Sequence, residues 1–120
     1  MSRILMIDDS MFQRFSLGKL LTGLGHTTFE AADGVSGLRV IEAEKPDMVI
    51  LDLNMPGQSG LETLTEIRKI DPALPVVILS ADIQATTKFR CLEAGATAFA
   101  NKPFEAEAFA ALIRECLTRE

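Results

Sequence analysis

Asp52 closes a run of four apolar residues, Met48 to Leu51, and precedes Asn54 and a Met55-Pro56-Gly57 loop, with a helical pattern starting after Gly60. A short continuous apolar run fits a strand buried on both faces, as parallel strands are. An acid ending such a strand stands at the carboxyl edge of the sheet, where open α/β folds place their chemistry. The same arrangement recurs along the chain. Arg3 to Ile7 runs into Asp8-Asp9, Val76 to Leu79 into Ser80, and Thr97 to Ala100 into Asn101-Lys102-Pro103. If these strands are parallel, Asp8, Asp9, Asp52, Ser80 and Lys102 share one rim. Carboxylates crowded in one small cavity repel, and some protonate unless a cation neutralises them. Hard oxygen ligands with room for water suit Mg²⁺. A lysine and a hydroxyl beside them suit the equatorial oxygens of a transferring phosphoryl group. The chemistry indicated is phosphoryl transfer onto a carboxylate, with metal and lysine offsetting the charge. No strand end offers a histidine, since His26 opens the second strand, so no Ser-His-Asp arrangement is available. Walker-type and dinucleotide-binding glycine patterns are absent as well.

The elements that must position these residues follow from periodicity and punctuation. Ser10 and Gln13 stand at capping-box spacing before a first helix, whose Leu17, Leu20, Leu21 and Leu24 form an inner face and which Gly25 ends. His26 to Ala31 reads as a second strand, and Asp33-Gly34 as a turn. Val35, Leu38 and Ile41 carry a second helix that stops before Pro46. Leu61, Leu64, Ile67 and Ile70 mark a third, closed by Asp71-Pro72. Asp82 is placed to cap a fourth helix, softened by Thr86 and Thr87, with Ala85, Phe89 and Leu92 facing inward and Gly95 beyond its end. A final helix from Glu105 aligns Phe109, Leu112, Ile113, Cys116 and Leu117. Strand and helix therefore alternate five times, which predicts a parallel sheet with right-handed crossovers and helices on both faces. Met11, Phe12 and Phe15 turn away from the inner face of the first helix. They form either a docking surface or a strip covered by neighbouring loops.

Composition narrows the function classes. A chain of 120 residues, 48% apolar and 24% charged, is expected to form one globular domain over 1–120 with a substantial core. A net charge of −5 argues against a nucleic-acid surface. No apolar run approaches the roughly 20 residues of a membrane span, and no signal-peptide pattern opens the chain. Cys91 and Cys116 lack metal-ligand spacing and read as buried thiols. The expectation is a cytoplasmic protein.

IDDS at 7–10, LDLNMPGQSG at 51–60, LSAD at 79–82, EAGA at 93–96 and NKPF at 101–104 occur in order over nearly the whole chain. In these segments it resembles the CheY-like receiver domains of response regulators in two-component signalling. The resemblance implies a flavodoxin-like doubly wound fold with strand order 2-1-3-4-5. It implies that Asp52 accepts a phosphoryl group from the phosphohistidine of a sensor histidine kinase or histidine phosphotransfer protein. Mg²⁺ would be held by Asp8 or Asp9, with Asp9 the favoured direct ligand, together with Asp52 and the backbone carbonyl of Asn54. Lys102, whose bond to Pro103 is typically cis in the family, would pair with a phosphoryl oxygen. Ser80 and Phe99 would be the switch residues, changing the surface of the fourth helix, fifth strand and fifth helix for a downstream partner.

Ser80 stands where Thr is common and Phe99 where Tyr is common. The two positions of Phe99 can therefore differ only in packing. Asn54 and Asp82 occupy positions that tune hydrolysis in the family, which predicts a short-lived phosphoryl state. The alternative is that they only cap and line the loop. Two other functions stay open: an interaction module never phosphorylated, and an aspartate-nucleophile phosphohydrolase. The second is disfavoured because Asn54, not an acid, stands two residues after Asp52. A monomer is expected without phosphorylation, and dimerisation on phosphorylation is left open.

Overall fold

The computed structural model describes residues 2–54, 59–82 and 84–118. The Met55-Pro56-Gly57 loop, read above as following Asp52, lies outside the described residues. Five strands form, β1 (Arg3–Ile7), β2 (Thr27–Ala31), β3 (Met48–Asp52), β4 (Val76–Ser80) and β5 (Ala98–Asn101). Between and after them run α1 (Met11–Gly23), α2 (Gly34–Glu44), α3 (Gly60–Ile70), α4 (Ala85–Glu93) and α5 (Ala106–Thr118). All strand pairs are parallel, in the order β2-β1-β3-β4-β5. This is the flavodoxin-like doubly wound arrangement expected from the sequence.

Every residue of β3 and β4 is buried, which is why these strands read as unbroken apolar runs rather than alternating ones. Their side chains alternate between two cores. Leu5, Ile7, Val49, Leu51, Val76 and Ile78 pack with Ile41, Leu64, Ile67 and Cys91 of α2, α3 and α4. Ile4, Met6, Met48, Ile50, Val77 and Leu79 pack with Leu17 and Leu21 of α1 and Phe109, Ile113 and Cys116 of α5. Both cysteines are buried thiols.

Local signals set the helix ends. Ser10 and Asp33 accept hydrogen bonds from the amides of Gln13 and Ser36. Gly25 and Gly95 adopt left-handed φ angles of 95° and 108° after α1 and α4. Ser59 forms a complete capping box with Glu62 at the start of α3. Ser59→Ala is expected to cost about 1 kcal/mol, measured by urea unfolding followed by circular dichroism.

Several inward assignments are corrected. In α2 the buried face carries Gly34, Gly37 and Ile41, and Val35 is exposed. A Cβ at Gly37 would lie 2.4 Å from Ile7 Cδ1, so the helix meets β1 through its smallest residue. Val35 is two residues from Gly37, about 200° round the helix. In α4 the buried residue is Cys91, while Phe89 is 63% exposed, and Ala85 and Leu92 are also exposed. Phe89 is again about 200° from the buried position. Ile70 and Leu24, both at helix ends, are exposed too. Asp82 is not the cap residue of α4; that position is Gln84, whose side chain makes no capping bond. The second strand begins at Thr27, and His26 instead accepts a hydrogen bond from the Ser2 amide.

Candidate functional site

Parallel pairing brings the strand ends together. Ile7 pairs with Leu51, so Asp8 and Asp52 come next on adjacent strands. Asp52 stands opposite Leu79, and Ser80 opposite Asn101, which delivers Lys102 one residue later. Asp8 and Asp52 are each 4% exposed, Ser80 is fully buried, and Asp9 is exposed at the mouth. Carboxylate oxygens of Asp8, Asp9 and Asp52 lie within 4.8 Å of one another. Three hard oxygen donors this close, one open to solvent, fit a small divalent cation that keeps part of its water.

Each side chain has a local anchor. Asp8 Oδ1 accepts from the Ser10 amide at 2.9 Å, so the α1 cap residue also orients this carboxylate. The Arg14 guanidinium donates to the Asp8 carbonyl at 2.5 Å and to Glu30 at 2.7 Å. The Asn54 amide donates to Asp52 Oδ1 at 3.3 Å. Lys102 Nζ donates to Asp52 Oδ1 at 3.0 Å and to Asp8 Oδ2 at 3.4 Å. Its amide donates to the Ser80 carbonyl at 2.7 Å, and the Lys102–Pro103 peptide is cis.

Burial is the largest influence on the Asp52 carboxyl and raises its pKa; the hydrogen bond from Lys102 opposes that shift, and the Asp8 charge reinforces it. Burial pulls the Lys102 ammonium down, but the hydrogen bonds and charges of Asp52 and Asp8 outweigh it and leave its pKa raised. The rim thus presents a desolvated carboxylate beside a firmly protonated lysine. That combination suits a nucleophile for an electrophile bearing several negative oxygens.

On the far side of Asp52, Ser80 Oγ accepts from the Asp82 amide at 3.0 Å. Asp82 Oδ1 accepts from the Gln84 amide at 2.9 Å, and Oδ2 from Thr87 Oγ1 at 2.6 Å. The Thr87 hydroxyl, followed by the Gln84 amide, holds the Asp82 carboxyl below the usual carboxylate range. The Asp82 carboxylate is therefore committed to its own loop and to α4. The Asn54 side chain is exposed. Phe99 is partly buried against the core beneath α2, α3 and α4. Met11, Phe12 and Phe15 are 74%, 77% and 63% exposed, so neighbouring loops do not cover them.

The parts that Arg14, Gly60 and Thr87 play at the site escaped the sequence reading. Arg14 and Thr87 carry no motif, because Asp8 lies six residues before Arg14 and Asp82 five before Thr87, spacings that match no capping pattern. Gly60 has a signal in the Ser59–Glu62 spacing that marks it as the first helical residue. Its contact with the Asp52 and Leu53 backbone is tertiary.

The sequence pattern described as "Response regulator receiver domain" matches residues 4–114. Response regulator MprA of Mycobacterium ulcerans is 37% identical over 117 residues, covering 98% of this chain and 50% of that protein. Its namesake in Mycobacterium avium is 36% identical, with 98% and 51% covered. The chain thus spans about half the length of the curated relatives it matches. The receiver domain of NtrX from Brucella abortus superposes with a TM-score of 0.93 at 34% identity, covering 98% of this chain and 99% of that one. Vibrio cholerae chemotaxis protein CheY4 gives 0.92 at 27% identity, with 97% and 98% covered.

Proposed function

Because the chain belongs to the response regulator receiver family of two-component signalling, we propose that it takes a phosphoryl group onto Asp52 from a phosphohistidine on a sensor kinase or phosphotransfer protein. The observation carrying this reading is the buried Asp52 carboxylate, 3.0 Å from the Lys102 ammonium and beside two further acids. An Asp52 oxygen attacks phosphorus while the bond to the imidazole nitrogen breaks, and the nitrogen keeps that electron pair. Lys102 meets the negative charge on the transferring oxygens. Asp8, Asp9 and Asp52, with the Asn54 carbonyl, are the residues that would hold Mg²⁺. Bound there, the metal would neutralise charge on the phosphoryl oxygens.

Ser80 then turns its hydroxyl toward the new phosphoryl group, and Phe99 repacks on β5. The surface formed by α4, β5 and α5 changes for a downstream protein. The exposed strip of Met11, Phe12 and Phe15 begins two residues after Asp9, which favours α1 as the docking face for the histidine-bearing partner. The described residues contain no helix long and apolar enough to cross a membrane.

Incubation with acetyl phosphate and Mg²⁺, read by intact-protein mass, tests the proposal. One added phosphoryl group is expected, lost in Asp52→Asn and without Mg²⁺, and decaying on standing. No gain, or a gain indifferent to Asp52→Asn, would return the chain to an unphosphorylated interaction module or point to another acceptor.

A further inference from the structure

We propose that Thr87 is a positioning residue for Ser80, acting through Asp82 to hold the loop after β4 in its resting place. This deepens the phosphoacceptor reading and rests on it. Ser80 Oγ is the acceptor for the Asp82 amide at 3.0 Å. When the Ser80 side chain moves toward a group on Asp52, that amide loses its acceptor, so Asp82 must follow or leave a donor unpaired. Asp82 is restrained on three sides. Thr87 Oγ1 donates to Oδ2 at 2.6 Å, the Gln84 amide to Oδ1 at 2.9 Å, and Asn101 Nδ2 to the carbonyl at 3.3 Å.

The Thr87 bond is the shortest of the three, and it is the one that ties the loop to the body of α4. The Gln84 side chain makes no capping bond that would share this restraint. A cavity of about 250 Å³ whose lining includes Asn54, Ser59, Asp82, Thr87 and Arg90 adjoins the Thr87–Asp82 bond. Releasing the Thr87 bond therefore lowers the cost of the Ser80 movement and favours the phosphoryl-bound arrangement.

The test compares the parent chain with Thr87→Val, which keeps shape and β-branching, and Thr87→Ser, which keeps the hydroxyl. Beryllium fluoride, which forms a phosphoryl-like adduct on a carboxylate, is titrated in Mg²⁺. Binding is followed by NMR amide shifts, because the chain has no Trp or Tyr. Thr87→Val is expected to bind about tenfold more tightly, the scale of one charge-assisted hydrogen bond, with faster hydrogen exchange at the Asp82 amide before binding. Thr87→Ser is expected to match the parent in both. Unchanged or weaker binding by Thr87→Val, with the parent binding normally, would overturn the coupling. A parent that binds no beryllium fluoride would overturn the acceptor reading, and the coupling with it.

Discussion

Lys102→Met is expected to destabilise the protein by about 3 kcal/mol at pH 8 without divalent metal, and by far less near pH 4.5. The side chain is about the same size, so the change removes charge with little loss of packing. Asp52 and Asp8 would then face each other and Asp9 without their shared ammonium. The direction with pH follows from the two shifts. Lys102 has a raised pKa in the fold, so its stabilising contribution is present below its unfolded pKa and is lost only as pH rises through the folded value. It is complete at pH 8. Asp52 also has a raised pKa, so the fold favours its protonated form. Its contribution is present below the unfolded carboxyl pKa and is lost as pH rises through the folded one. Without Lys102 that folded value climbs further, and the gap between variant and parent widens with pH. Urea unfolding at the two pH values measures it, and added Mg²⁺ is expected to restore part of the loss. A gap independent of pH would mean that Lys102 contributes packing rather than charge.

Gly60→Ala is expected to cost about 3 kcal/mol and to disturb Asp52, the proposed acceptor, directly. A Cβ there would lie 2.5 Å from the Asp52 carbonyl oxygen and 2.6 Å from Leu53 Cα. Both are backbone atoms of the segment that carries Asp52, so neither can move aside as a side chain could. The Gly60 amide donates to the Leu53 carbonyl at 2.9 Å, and this bond would be strained along with the strand end. The same urea experiment gives the stability loss. Phosphoryl uptake from acetyl phosphate, measured well below the unfolding midpoint, is expected to fall at least tenfold, because a displacement of about 1 Å at a reacting group is costly. Normal uptake with lowered stability would show that the clash relaxes into α3 instead of β3.

The site was far more legible than the helix surfaces. Residues at strand ends inherit their position from an unmistakable pattern, because a strand buried on both faces has nowhere to place a polar residue except at its end. Asp8, Asp52, Ser80 and Lys102 therefore fell on one rim as soon as the strands were taken as parallel. Helix faces are less determinate. Apolar residues at 35, 89 and 92 fit a helical stripe, yet α2 meets the sheet through Gly37 and α4 through Cys91. Hydrophobicity ranks residues by size and transfer energy, whereas close approach of a helix to a sheet selects small ones.

By itself, the sequence determined the order and type of the elements, the parallel sheet, the rim residues and the family. The elements and the rim rest on short-range periodicity and on side chains whose chemistry does not depend on neighbours, and the family rests on its resemblance in five motifs that occur in order. Tertiary structure alone decided how those residues are held. Lys102 reaches Asp52 and Asp8 from the far end of the sheet, Arg14 reaches Glu30 on β2, and Gly60 packs on the Asp52 backbone. It also decided the charge balance, since the raised pKa of Asp52 comes first from burial, which exists only once β1, β3 and β4 are packed side by side.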